Sequence, residues 1–141
     1  MKRRRLLFSS LAAIALAAVG IATANAVSSA AKVKVLLATP AKEFKFQLPT
    51  PSAKAGKITF VASNKGKLDH ELVVLKTNLP PGKLPIKGTK AVEKGRVGKL
   101  PPVKPGKTKT LTLTLKSGKY VLICNIAGHY AAGSRAGFKV G

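Results

Sequence analysis

The chain has 141 residues and a formal net charge of +22, with 26 Lys and Arg against four acids, two histidines, one cysteine, one methionine and no tryptophan. That length fits one domain. A single cysteine excludes an intrachain disulfide, and a zinc-finger-type site would need more Cys and His than the chain holds.

The first segment reads as a secretory signal peptide, residues 1–26. Lys2, Arg3, Arg4 and Arg5 form a positive start, Leu6 to Ile21 is mostly apolar, and Ala24-Asn25-Ala26 is a small-x-small cleavage site. The alternative, an N-terminal anchor, fits less well. The apolar stretch is Ala-rich and broken by Ser9, Ser10 and Gly20, whereas a membrane span needs about 20 strongly apolar residues. Export to the periplasm, the cell surface or the medium is expected. Residues 27–141 would then form one domain. It keeps 22 of the basic residues and all four acids, a formal charge of +18.

Beyond a tail at 27–32, expected to be flexible, the apolar residues recur with a period of two. Val33–Ala38 opens the series. Phe44, Phe46 and Leu48 alternate with Lys45 and Gln47, and Ile58, Phe60 and Ala62 alternate with Thr59 and Val61. Leu72–Leu75 follows as an unbroken apolar run. Leu111, Leu113 and Leu115 alternate with Thr112 and Thr114, and Tyr120–Cys124 and Phe138–Val140 close the series. Alternation predicts strands with one wet face, and the unbroken runs predict strands buried on both. Turn signals separate them: Pro49-Thr50-Pro51, Asn64-Lys65-Gly66, Pro105-Gly106-Lys107 and Ser117-Gly118-Lys119. The segment 78–104, with five of the nine prolines, reads as a long loop with a helical turn near Lys90–Lys94. The fold class predicted is all-β: a Greek-key β-sandwich of seven or eight strands.

Both histidines and the cysteine fall at strand ends. His70 opens the strand Glu71-Leu72-Val73-Val74-Leu75, Cys124 closes Tyr120-Val121-Leu122-Ile123, and His129 follows a turn in which Gly128 frees the backbone. One thiolate and two imidazoles are the equatorial ligands of a blue copper site. Four residues between Cys124 and His129 let the chain curl back to one point, and a sandwich brings the strand of His70 alongside. Singly, a strand-end histidine is more often solvated and a lone cysteine more often a small core residue. The three together favour one metal ion.

The run Tyr-Val-Leu-Ile-Cys-Asn-Ile-Ala-Gly-His-Tyr-Ala-Ala-Gly at 120–133 resembles the copper loop of the cupredoxins, the plastocyanin- and azurin-like proteins. Asn64 to Val74 resembles their upstream segment with the first histidine. The resemblance covers 33–140 apart from 78–104. It implies a single-electron carrier holding one copper ion through His70, Cys124 and His129. It also implies an axial methionine directly after Gly133, where this chain has Ser134; the only methionine is Met1. Ser134 is too short to replace it, so the carbonyl of Asp69 or a water would approach axially. The alternatives are a non-redox copper carrier or scavenger with the same ligands, and a scaffold that has lost its metal and binds through its basic surface.

Asp69 and Glu71 flank His70 and are candidates to tune it or simply to be solvated; Tyr120 is expected in the core and Tyr130 over His129. The lysines are spread along the chain without interleaved aromatic platforms, which argues against nucleic acid. The charge suits an acidic redox partner, an anionic cell-surface polymer or a membrane surface, and a monomer is expected. No Ser-His-Asp set, carboxylate pair or second copper set points to an enzyme.

Overall fold

The computed structural model describes residues 29–141; the signal-like segment lies outside the described residues. In chain order the elements are β1 (Ala31–Ala38), β2 (Ser52–Ala53), β3 (Gly56–Asn64), β4 (His70–Lys76), a 3₁₀ turn (Pro81–Lys83), β5 (Ile86–Lys87), β6 (Lys90–Ala91), β7 (Arg96–Val103), β8 (Thr108–Leu115), β9 (Gly118–Ile123), the one-turn helix α1 (His129–Ala132) and β10 (Arg135–Val140). One sheet has the order β1-β3-β8, the other β2-β10-β9-β4-β7, and β5-β6 is a separate ribbon. β1 runs parallel to β3 and β10 parallel to β2; the remaining pairs are antiparallel. This is the expected Greek-key sandwich, with seven strands of six residues or more. Among the described residues no helix is long and apolar enough to cross a membrane.

The period of two places the core. Val33, Val35 and Leu37 from β1, Ile58, Phe60 and Ala62 from β3, Leu72 and Val74 from β4, and Tyr120 and Leu122 from β9 meet between the sheets. Burying each large aliphatic side chain contributes about 1.5–3 kcal/mol relative to leaving it exposed. The wet side of β3 and β8 is polar, with Thr59 bonded to Thr112 at 2.8 Å and Ser63 to Thr108 at 2.9 Å. β4 and β9 have no wet side. Val73, Leu75, Val121 and Ile123 point the other way and are covered by Leu84, Ala91 and Tyr130 in a second cluster. The residues that follow β4 therefore fold back over the outer face of the five-stranded sheet as a flap, which is why both strands read as unbroken apolar runs.

Three expectations need correction. Phe44–Leu48 is not a strand: only Gln47 forms an isolated bridge, to Leu36. Prolines at 40, 49 and 51 bracket it, and its alternation reflects Phe46 entering the core while Phe44 turns to the histidines. The segment 78–104 is not one loop. It contains the flap and then β7, and Lys90–Ala91 is extended rather than helical. β7 escaped detection because it carries Gly98, Pro101 and Pro102. It is an edge strand, where a missing N–H is tolerated. Its register against β4 shifts between the His70↔Val103 and Leu72↔Leu100 pairs, so the two prolines form a bulge opposite Glu71. Finally, Ala31 and Lys32, expected in a tail, belong to β1.

Candidate metal centre

His70 and Cys124 share the parity of Leu72, Val74, Tyr120 and Leu122, so both side chains turn to the inter-sheet side at one end of the sandwich. His129 starts α1 after Gly128, whose φ of +81° is a left-handed conformation suited to glycine. Two backbone bonds close the loop around it: Ser134 N–H donates to the His129 carbonyl at 3.0 Å, and Cys124 N–H to the Ser134 carbonyl at 2.9 Å. One ligand-capable atom each from His70, Cys124 and His129 lies within 4.8 Å of the others. Cys124 Sγ is 3.4 Å from His129 Nδ1, and the two imidazole centroids are 4.9 Å apart. The three candidate residues are thus brought together.

The polar atoms at the site fit a metal. His70 is fully buried, its Nε2 is bonded to Glu43 at 3.0 Å, and its Nδ1 has no partner among the described residues. A buried imidazole nitrogen without a partner is costly unless something else binds it. Cys124 Sγ accepts the Glu71 N–H at 3.3 Å. Burial pushes the thiol up to about 11, against the pull of the Glu71 and Ile126 backbone groups. Burial and the neighbouring His70 hold His129 below the ordinary histidine value, with Glu43 and Glu71 opposing. The surroundings therefore favour the neutral imidazole, the form that can offer a lone pair to a metal. One soft sulfur and two imidazole nitrogens are the donor set that suits copper.

Ser134 occupies the expected axial position in sequence. Its side chain is fully buried, and its hydroxyl is the other buried side-chain group without a partner among the described residues. It has the parity of Phe138 and Val140, which face the core.

The surroundings hold residues that sequence reasoning missed. Glu43 is the partner of His70, and Phe44 sets its ring edge-on to both histidines, with centroids 6.2 Å from His70 and 5.1 Å from His129. Tyr130 does not take the place over His129. It is buried in the second cluster, and its hydroxyl bonds the Pro81 carbonyl at 2.8 Å and the Leu84 N–H at 2.9 Å, pinning the flap. Tyr120 is in the core as expected. Glu71 is buried rather than solvated, accepting the Asn125 N–H at 3.1 Å and pairing with Lys99 at 3.2 Å. Asp69 is exposed. Asn64 holds the loop before His70: its amide donates to the Leu68 carbonyl at 2.7 Å and the Val103 carbonyl at 2.8 Å, and its oxygen accepts the Gly66 N–H at 2.9 Å. The signal available for Glu43 was scarcity: with four acids in the whole chain, each is a candidate partner for a histidine.

A sandwich with a Cys-His loop and an upstream His at the same end is the cupredoxin fold, and solved cupredoxins match it. Rusticyanin from Thiobacillus ferrooxidans superposes with a TM-score of 0.63 at 20% identity, covering 78% of this chain and 76% of that one. Reduced auracyanin from Roseiflexus castenholzii gives 0.57 at 20% identity, over 81% and 98%. An azurin from Methylomonas sp. strain J gives 0.60 at 15% identity, over 79% and 98%. No protein-family model and no curated protein matches the sequence.

Proposed function

We propose that this protein is exported, binds one copper ion through His70 Nδ1, Cys124 Sγ and His129 Nδ1, and carries single electrons. The observation that carries the reading is the orphaned, buried Nδ1 of His70 beside a thiol and a second imidazole that the fold brings to one point. Rusticyanin, which shares the fold, is a copper protein. Copper would supply a one-electron couple, the thiolate favouring Cu(I) and the imidazoles accepting both oxidation states. The chain supplies rigidity. His70 and Cys124 sit on or directly beside paired strands, and the loop of His129 is closed by backbone bonds, so the ligands need little movement between oxidation states. His129 is the least buried of the three, with exposed Ala127 and half-buried Ile126 beside it, and serves as the edge through which an electron leaves.

Copper titration read by visible absorption and EPR tests this. A one-to-one complex with an intense thiolate-to-Cu(II) band is expected, and Cys124→Ser should abolish the band. Colour retained in that variant, or no stoichiometric binding, would overturn the assignment. The absence of a methionine at 134 favours one second reading, a copper carrier that hands on metal rather than electrons. Tight but colourless binding with fast metal exchange would select it. Export is checked by the mass of the mature N-terminus, expected at Val27.

A further inference from the structure

We propose that Glu43 is a positioning residue of the metal centre: its carboxylate fixes the His70 ring with Nδ1 toward the metal and favours the more highly charged Cu(II) state. The inference rests on the copper reading above. A carboxylate offers no proton, so the 3.0 Å contact requires that Nε2 carry the hydrogen, which leaves Nδ1 as a lone-pair donor. With Nε2 engaged and Nδ1 orphaned on a ring fully buried, turning the ring over would put a ring carbon against Glu43 and forfeit that bond.

Glu43 is itself held. Both its oxygens accept the Lys67 N–H, at 3.0 and 2.9 Å, and Oε1 also accepts the Leu68 N–H at 2.9 Å. The loop leaves room for it only because residue 66 is glycine. A Cβ there would run into the carboxylate and come within 2.6 Å of the Ala38 Cβ. The Lys67 and Leu68 N–H groups and His70 Nε2 all converge on the carboxylate, an arrangement that suits its ionised form, one imidazole away from the ligating nitrogen. Hydrogen bonding of an outer carboxylate to a ligating histidine orients the ring and raises its basicity. The more basic, negatively supported nitrogen binds Cu(II) more strongly than Cu(I). The two other paired acids are committed elsewhere, Glu71 to Asn125 and Lys99, and Glu93 to Arg96 and Asn125.

Two variants separate orientation from charge. Glu43→Gln keeps an oxygen to accept the Nε2–H but removes the charge; Glu43→Ala removes both and also strips the Lys67 and Leu68 N–H groups of their acceptor, so the Gln variant carries the redox test. In the metal-free protein, nitrogen-15 NMR should show His70 with its proton on Nε2 in the wild type and in Glu43→Gln, and a mixed population in Glu43→Ala. In the copper protein, Glu43→Gln should raise the one-electron potential by at least the equivalent of a tenfold change in the Cu(II)/Cu(I) ratio, about 59 mV. Cu(II) affinity should fall at least tenfold more than Cu(I) affinity. A blue wild type with an unchanged potential in Glu43→Gln overturns the charge role, and a metal-free wild type with the proton on Nδ1 overturns the orientation role. A wild type that takes up no copper would defeat the parent reading instead, with the metal-free NMR still deciding whether Glu43 sets the ring.

Discussion

The backbone of Ser134 is held between the two candidate ligands of its own loop, by its N–H to His129 and its carbonyl to the Cys124 N–H. Its side chain faces inward and its hydroxyl is unpartnered. A side chain placed there is aimed by a fixed backbone, so lengthening it should reach toward the space the three ligands enclose. Ser134→Met is therefore expected to add a weak thioether ligand, sharpen the thiolate-to-Cu(II) band and slow metal loss. The extra bulk in a packed interior would cost about 1–3 kcal/mol of stability. Spectroscopy and chelator-competition kinetics on the copper-loaded variant check this, and unchanged spectrum and exchange would show that position 134 does not address the metal. Immediately before it, Gly133 has a φ of +124°, and a Cβ would lie 2.7 Å from the Phe44 carbonyl. The glycine lets the loop touch the segment that places Phe44 against both histidines.

At the scale of elements, the flap and β7 are tied to the metal loop through Asn125, the neighbour of Cys124. Its side chain exchanges two hydrogen bonds with the Ala91 backbone, at 2.8 and 2.9 Å, and donates to Glu93 at 2.9 Å. Glu93 also receives Arg96 at 2.7 Å. Burial would raise the Glu93 carboxyl, but the Asn125 and Arg96 bonds and the charges of Lys99 and Arg96 win, and it stays below its ordinary value of 4.5. A carboxyl whose value is lower in the folded state contributes stability above the unfolded value and loses it as pH falls through the folded one. Glu93→Gln should therefore melt earlier than the wild type at neutral pH, and the gap should close as pH drops below 4.5. Thermal melts of both across that range check it, and a gap independent of pH would show that the charge on Glu93 does not support the flap.

The same elements mark how far the sequence is legible. His70, Cys124 and His129 could be read because ligand chemistry is rare in this composition and all three fall where a strand ends. The regular strands could be read because one face or both are apolar. β7 could not, since an edge strand with two prolines at a bulge looks like a loop until its partner is known. Neither could Glu43, 27 residues from the histidine it holds, because only the loop bonds from Lys67 and Leu68 bring it there. The alternation at 44–48 was real, but it recorded which side chains are drawn inward rather than a ladder of backbone bonds.

At the scale of the whole molecule, the acids are spent around the candidate site. Glu43 holds His70, Glu71 and Glu93 hold Asn125, and Asp69 precedes His70. The remaining surface carries basic charge without acids to break it, and Lys42, Lys45 and Arg135 line a cleft with Gly133 and Phe44, whose ring packs on the half-buried His129. A surface of one sign steers partners of the opposite sign and repels those of its own, and salt weakens both effects as the Debye length shortens to about 10 Å at 0.1 M. Small redox reagents can therefore probe the exit edge without the natural partner. Reduced copper protein should react faster with an anionic oxidant such as hexacyanoferrate(III) than with a cationic cobalt(III) complex of similar driving force. Raising the ionic strength should slow the first reaction and speed the second. Replacing Lys42 and Lys45 together by Gln should flatten both salt dependences without altering the visible spectrum, because neither lysine touches a ligand. Equal salt dependence for the two reagents in stopped-flow measurements would mean that electrons do not leave through this cationic edge, and the charge would then have to serve a surface away from the metal.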